Sequence, residues 1–343
     1  MTDLSFRSSH TYSATHREVE KSLITDRYCR PIENLRISLT QQCDLECFYC
    51  HREGHDHSRV EMSPEEILQI TKIGTEFGVR KIKLTGGEPL TRRDLSEIIR
   101  LLATLPKVEE ISLVTNARQL TLKRALEFKQ AGLDRVNINL PSTNPQTYKK
   151  IVGRDIPPAL AGMKAAVEAR LTPIKMNMVL LRGLNSDEVQ CMMGFAQSIG
   201  AILQLIELEP LKKAEEFYTH YHYPLDDLEQ EISAKASKVR VRHSMQNRKV
   251  YTLGELEVEI VKPVQNSEFC SHCTKIRLTS DGKLKPCLMS QENLLDILTP
   301  LRRGEDPKAL SEIFRDAIDL RRPYYSSEST YPLIPEKRDS ASL

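Results

Sequence analysis

The sequence lacks several features that would place it in a large class of proteins. No stretch of its 343 residues approaches the roughly 20 apolar residues that a membrane-spanning helix needs, and residues 1–22 lack the charged-then-apolar order of a signal peptide. Charge of one sign is not in excess either, since 49 Lys and Arg stand against 47 Asp and Glu. The net charge of +2 excludes a polycationic coat for nucleic acid. We therefore expect a soluble cytoplasmic protein without a membrane or nucleic-acid partner.

Short strand-like runs alternate with helical patterns from residue 34 to about residue 208. Such alternation predicts an α/β fold with a parallel sheet covered by helices, and six units predict an incomplete (β/α)6 barrel. The first helix has a clear start, because Ser63 can cap it, Pro64 suits its first position and Glu66 completes a capping box. Further helices are expected near 92–104, 122–131, 158–170 and 186–199. The strand candidates are 35–39, 80–85, 109–115, 134–140, 173–181 and 201–208.

The pattern changes after residue 210. A charged helical piece is followed by two strand-rich stretches, and Asp281 and Gly282 predict a hairpin turn. A last helix is expected at about Pro307–Arg321. We divide the chain into a partly ordered leader (1–30), a partial barrel (31–210), a smaller C-terminal α/β domain (211–322) and a flexible tail (323–343).

Eight cysteines are present, and six of them fall into two groups of three. Cys29 and Cys191 stand apart and are interpreted as structural thiols. In a cytoplasmic protein such grouping indicates metal rather than disulfide. The groups are Cys43, Cys47 and Cys50, and Cys270, Cys273 and Cys287.

Three thiols fit neither common zinc pattern, since structural zinc takes four ligands and catalytic zinc usually includes His or carboxylate. A four-iron cluster held by three thiolates would instead leave one iron open for a small molecule. The first group follows the first strand, and the GGEP stretch at 86–89 follows the second. Because functional groups collect at the carboxyl ends of such strands, we expect these two motifs to face each other.

The CxxxCxxC spacing, with Tyr49 before its last cysteine and GGEP after the next strand, resembles the radical S-adenosylmethionine (SAM) enzymes. The resemblance implies a radical SAM barrel in which a [4Fe-4S] cluster binds SAM and an electron cleaves it to a 5′-deoxyadenosyl radical. It assigns SAM binding to Tyr49, Gly87, Glu88 and Asn139.

The whole arrangement, over roughly residues 26–322, is similar to the GTP 3′,8-cyclase family of archaeal type, which begins molybdenum-cofactor biosynthesis. This resemblance implies two [4Fe-4S] clusters, with the second binding guanine through its open iron. The family's radical removes hydrogen from C3′ of GTP, and the C3′ radical attacks C8. Residues at positions that hold GTP in the family are Arg36, Lys83, Lys175, Lys275 and Arg277.

Two interpretations of the basic residues remain open at this point. Alternating cations on a strand, such as Lys275 and Arg277, are often just its solvated face, although both cysteine groups adjoin such strands. Arg240, Arg242, Arg248 and Lys249 either close over the triphosphate or face water. The histidines at 51, 55 and 57 are interpreted as part of a hydrophilic loop rather than as metal ligands.

Some positions differ from the bacterial pattern of the family, namely Val114, Asn139, Gln204 and Glu209, and the chain does not end in Gly-Gly. The resemblance also implies a homodimer, an electron donor such as ferredoxin or flavodoxin, and cyclic pyranopterin monophosphate synthase as the next enzyme. Two rival hypotheses are another radical SAM enzyme with one auxiliary cluster, such as a peptide maturase, and a non-catalytic binding protein stabilised by zinc.

Overall fold

The computed structural model describes residues 24–54, 58, 60–210, 215–290 and 292–326. Within these residues, twelve strands form one sheet in the order β12-β11-β10-β1-β2-β3-β4-β5-β6-β9-β8-β7. The strands are β1 Asn34–Ser38, β2 Lys81–Thr85, β3 Glu110–Thr115, β4 Arg135–Asn139, β5 Lys175–Leu180, β6 Ile202–Glu207, β7 Lys238–Arg242, β8 Arg248–Leu253, β9 Leu256–Val261, β10 Lys275–Leu278, β11 Lys283–Lys285 and β12 Leu295–Asp296.

Eleven α-helices accompany the sheet in the described part of the chain, and none is long and apolar enough to cross a bilayer. They are α1 Pro64–Glu76, α2 Leu95–Ala103, α3 Leu122–Ala131, α4 Pro145–Val152, α5 Pro157–Glu168, α6 Val189–Ser198, α7 Glu215–Tyr221, α8 Asp226–Lys235, α9 Ser267–Ser271, α10 Leu298–Arg302 and α11 Pro307–Asp319.

The first six strands are parallel and carry the alternating helices that the sequence predicts, so the α/β partial-barrel fold is confirmed. The strands after residue 210 do not form a sheet of their own. Strand β10 pairs in parallel with β1, and β9 pairs in parallel with β6. The C-terminal part is therefore built onto both edges of the barrel sheet, and the division at residue 210 stays a prediction.

Alternation along the strands gives the sheet two unlike faces. On β1 and β2, Leu35, Ile37, Ile82 and Leu84 are at most 1% exposed and join a hydrophobic core that includes Ile70 of α1. The residues between them point to the other side, where Arg36 and Lys83 line a cavity. Because the apolar face of the sheet is buried against the helices, the basic residues of β1 and β2 face the cavity on the other side.

The predicted capping box of α1 is confirmed. The Ser63 Oγ accepts from the Glu66 amide at 3.2 Å, and a Glu66 carboxylate oxygen accepts from the Ser63 amide at 2.8 Å. The sequence analysis missed α4, although Asn144 caps it and Pro145 occupies its first position. That pairing of a capping residue with a following proline was a usable signal. The histidines at 55 and 57, the leader up to residue 23 and the tail from residue 327 lie outside the described residues.

A buried ion cluster joins the start and end of the described chain. Arg321 is 1% exposed and lies 3.0 Å from the Asp26 carboxylate, which also pairs with Arg30 at 2.8 Å. Arg321 donates further to the Cys273 carbonyl, and Arg30 donates to the Cys270 carbonyl at 2.9 Å. The cluster therefore holds the loop that carries the second cysteine group.

We expect Arg321→Ala to lower the free energy of unfolding by about 2–4 kcal/mol, because it removes a fully buried side chain and one of the two cations that pair with Asp26. Urea denaturation of the reduced 343-residue chain, followed by circular dichroism, measures the loss. The control is Arg322→Ala at the adjacent exposed position, which should cost less than about 0.5 kcal/mol. Similar losses for the two variants would show that the buried cluster is not the source of stability.

Candidate active site

A cavity of about 310 Å³ lies within the curve of the sheet. Residues of β10 and of β7 and β8, near opposite ends of the strand order, line it together with residues of the central strands. The sheet therefore curves around the cavity as a partial barrel. All fifteen predicted site residues line it: Arg36, Cys43, Cys47, Tyr49, Cys50, Lys83, Gly87, Glu88, Asn139, Lys175, Cys270, Cys273, Lys275, Arg277 and Cys287.

The GGEP stretch packs directly against the chain that leads into the first cysteine group. The Gly87 amide donates to the Thr40 carbonyl at 2.8 Å, and the Glu88 amide donates to the Gln42 carbonyl at 2.7 Å. A Cβ at Gly87 would lie 2.1 Å from the Gln42 oxygen, so only glycine allows this approach. The two motifs face each other as expected.

The Glu88 side chain fixes the loops that follow β2 and β3. It accepts from the Thr115 hydroxyl at 2.6 Å, from the Asn116 amide at 2.7 Å and from the Leu90 amide at 3.0 Å. Burial raises the pKa of this carboxyl to about 7, although the two amides and the hydroxyl oppose the shift. The Glu88 carboxylate thus connects the loop after β2 to the end of β3 through hydrogen bonds. Any contact of Glu88 with SAM stays a prediction.

The two cysteine groups have different electrostatic surroundings. Within the cavity walls, desolvation raises the pKa of the Cys43 thiol to about 11 and that of Cys47 to about 12. Burial acts in the same direction on Cys273, but Arg321, Lys275 and Arg30 outweigh it and hold its pKa below the ordinary value. Burial also raises the pKa of Cys270, so the electropositive surroundings are those of Cys273 and not of the whole second group.

The donor sets fit iron–sulfur clusters. Each set offers three thiols among the residues that line the cavity, and thiolates are the usual ligands of such clusters. Among the described residues, no three His, Cys, Asp or Glu side chains converge on a position for a single metal ion. In a cubane cluster each thiolate binds a different iron, so convergence on one point is not needed.

Glu53, which the sequence analysis missed, ties two of the predicted GTP-binding residues together. Its carboxylate accepts from Arg36 at 2.6 and 2.9 Å, from Arg277 at 2.9 Å and from the Thr85 hydroxyl at 2.9 Å. Burial alone would raise the Glu53 pKa, but Arg36 and Arg277 hold it well below its usual range. Arg36 and Arg277 are neighbours across the β1–β10 pair, which explains why one carboxylate reaches both.

Lys83 and Lys275 lie among like charges. Burial lowers the pKa of both ammonium groups well below its usual range, and Arg36 adds to the shift in each case. Arg135 acts further on Lys83, and Arg248 acts further on Lys275. An anion bound in the cavity would relieve this repulsion, so the wall is suited to a ligand of high negative charge.

The structure separates the basic residues whose role the sequence left open. Arg242 and Arg248 line the cavity, whereas Arg240 and Lys249 are exposed and pair with Glu257 and Glu229. The His51 Nε2 lies 3.7 Å from a Glu209 carboxylate oxygen. The positions that differ from the bacterial pattern all line the cavity: Val114, Asn139, Gln204 and Glu209.

Two further residues were missed. Arg135 lines the cavity and pairs with Glu110 at 2.6 Å, and the buried Glu259 of β9 accepts from Lys175. Glu259 sits in the alternating stretch LEVEIV, which reads equally well as an ordinary half-exposed strand. Asn177 also lines the cavity, and its Nδ2 donates to Asn139 Oδ1 at 2.9 Å, so the two side chains form one unit.

Comparison with known proteins identifies both halves of the chain. Residues 37–196 match the Radical SAM superfamily model, and residues 201–327 match the model described as Molybdenum Cofactor Synthesis C. A probable GTP 3′,8-cyclase of Methanocaldococcus jannaschii is 48% identical, over 88% of this chain and 98% of the relative. A protein of the same name from Pyrococcus horikoshii is 45% identical, over 90% of this chain and all of the relative.

Solved structures share the fold at low identity. Streptococcus suis SuiB bound to S-adenosylmethionine has a TM-score of 0.60 at 16% identity, covering 88% of this chain and 77% of SuiB. The structure titled native anSMEcpe with bound AdoMet has a TM-score of 0.53 at 14% identity, covering 77% of each chain. At these identities the likeness concerns the fold alone.

Proposed function

Because the chain belongs to the GTP 3′,8-cyclase family of the radical SAM superfamily, we propose that it converts GTP to (8S)-3′,8-cyclo-7,8-dihydroguanosine 5′-triphosphate. This is a lyase reaction and the first step of molybdopterin cofactor biosynthesis. The observation that carries the proposal is a single cavity lined by two groups of three cysteines and by the cations that the family uses for GTP.

The cofactors are a [4Fe-4S] cluster with SAM and, by proposal, a second [4Fe-4S] cluster. Cys43, Cys47 and Cys50 hold the first, which when bound with SAM supplies the 5′-deoxyadenosyl radical. Tyr49, Gly87, Glu88 and Asn139 are the proposed SAM contacts, and all four line the cavity. Cys270, Cys273 and Cys287 would hold the second cluster, which would supply a binding position for guanine.

The chain's own residues bind and orient the nucleotide. Arg36 and Arg277, aligned by Glu53, and the crowded ammonium groups of Lys83 and Lys275 receive the triphosphate. Lys175 completes the set on β5. Charge-assisted hydrogen bonds of this kind contribute about 1.5–3 kcal/mol each. Phosphates anchored on these strands would place the ribose within the cavity that both cysteine groups line.

Further partners follow from the same proposal. The electron for SAM cleavage comes from a donor such as ferredoxin or flavodoxin, and the product passes to cyclic pyranopterin monophosphate synthase. We also propose a homodimer. These partners rest on the family, and each needs its own binding experiment.

We expect the anaerobically reconstituted chain to contain about eight irons, as two four-iron clusters require. With dithionite, SAM and GTP it should form 5′-deoxyadenosine and a cyclised nucleotide of unchanged mass, both measured by liquid chromatography with mass spectrometry. ATP in place of GTP is the matched control and should give no cyclised product. A colourless, zinc-containing protein would favour the non-catalytic rival, and SAM cleavage without any cyclised GTP would favour another radical SAM reaction.

A further inference from the structure

A buried carboxylate on β9 gathers cations from three other strands. Glu259 is fully buried and accepts from Lys175 of β5 and from Arg242 of β7, the latter at 2.9 and 3.2 Å. Arg248 of β8 lies 3.6 Å from the same carboxylate. Burial would raise the Glu259 pKa, but the three cations hold it well below its usual range. One negative charge thus faces three positive ones, and the group carries net positive charge.

Arg248 is held in place but is not saturated with hydrogen bonds. Its side chain is 9% exposed, its guanidinium lies over the Phe269 ring at 5.5 Å from the centroid, and its Nη2 donates to Gln246 Oε1 at 2.6 Å. Its Nε is buried without a hydrogen-bond partner among the described residues. A buried donor without an acceptor is rare in folded proteins, so Nε is a donor left available for a bound acceptor.

Arg248 lies between the two groups of cations in the cavity wall. Gln246 Oε1 accepts from Arg248 and also from Lys275 Nζ, each at 2.6 Å. On its other side, Arg248 shares Glu259 with Lys175. The cations of β10 and of β5 are therefore connected through Arg248, and a ligand that spans them must pass it.

Resting on the proposed function, we infer that Arg248 is a further substrate-binding residue, which binds the triphosphate of GTP through its unpaired Nε and the adjoining edge of its guanidinium. The fork of an arginine matches the oxygens of a phosphate. A neutral base or ribose would leave the surplus positive charge of this group uncompensated. Phe269, Gln246 and Glu259 set the orientation of the fork before GTP arrives.

The test measures GTP and guanosine binding by anaerobic equilibrium dialysis with the reconstituted enzyme. Arg248→Met is expected to weaken GTP binding at least about tenfold while guanosine binding changes less than about twofold, since one charged contact to phosphate is lost. Arg248→Lys keeps the charge without the fork and should recover part of the GTP affinity. The matched control is Arg240→Met, because Arg240 is also a strand arginine paired with a glutamate but is exposed.

Each outcome separates this inference from the proposed function. If the wild-type enzyme binds and cyclises GTP while Arg248→Met binds it equally well, the inference fails and the function stands. Equal losses for GTP and guanosine would assign Arg248 to the base and overturn the phosphate role. A loss in Arg240→Met as large as in Arg248→Met would mean that only overall charge matters. Should Arg248→Met fail to fold, Arg248→Lys decides, because undiminished GTP affinity there contradicts a role for the fork.

Discussion

Cys47→Ala is expected to reduce the formation of 5′-deoxyadenosine to the level of a reaction without enzyme. A cluster that binds SAM through one open iron needs the three remaining irons held, and Cys47 is the middle ligand of the first group. Its side chain lies in the wall of the cavity together with Cys43 and Cys50. The reaction is measured with dithionite and SAM, with and without GTP.

The control for this variant is Cys191→Ala. Cys191 is an exposed thiol on α6 and does not line the cavity, so its loss removes a cysteine without touching either group. Cys191→Ala should retain the iron content and 5′-deoxyadenosine yield of the wild type. Substantial SAM cleavage by Cys47→Ala would contradict the assignment of the first cluster, whatever the fate of GTP.

Cys273→Ser is expected to have the opposite pattern, with SAM cleavage largely retained and GTP cyclisation lost. The proposed second cluster binds guanine, and Cys273 is the ligand most closely surrounded by cations. A serine hydroxyl is a poor ligand for iron in such a cluster, so the base would no longer be held beside the first site. Both products should be quantified in the same reaction, together with iron, which is expected to fall from about eight to about four per chain.

Cys29→Ser is the matched control for this second experiment. Cys29 lies one residue before Arg30, which binds the Cys270 carbonyl, but its own thiol is exposed and does not line the cavity. It should leave iron content and both products unchanged. A normal yield of cyclised nucleotide from Cys273→Ser would refute the guanine-binding role of the second group and leave the first group untouched.

Much of this architecture was predictable because its causes are local. The capping box at Ser63, the strand alternation up to residue 208 and the spacing of thiols within each group depend on neighbours a few residues apart. The predicted GTP residues, which the family resemblance rather than periodicity selected, all line the cavity, and their contact with GTP stays a prediction. A basic strand looks the same in sequence whether it faces water or a ligand.

Residues that act through distant partners could not be found in this way. Glu53 follows the first cysteine group in a short turn and looked like part of a hydrophilic loop, yet it joins Arg36 to Arg277. Glu259 looked like one more polar position on a strand, yet it binds cations from β5 and β7. The roles of Glu53 and Glu259 depend on charges that the fold brings together from distant parts of the chain. Such contacts produce no periodic pattern in the sequence.

The sequence alone was enough to establish the alternation of strands and helices, the two groups of three cysteines and the small net charge of +2. Folding brought both sets to one cavity. Strand β10 pairs in parallel with β1, so Cys273, just before the start of β10, and Cys43, beyond the end of β1, lie toward opposite ends of the paired strands and line the cavity between them. Backbone hydrogen bonds between strands are alike for nearly all residues, so pairing across such distances is set by the packing of the whole sheet. The same packing removes water from some cations and leaves others hydrated, which is why Arg248 lies in the cavity wall and Arg240 does not.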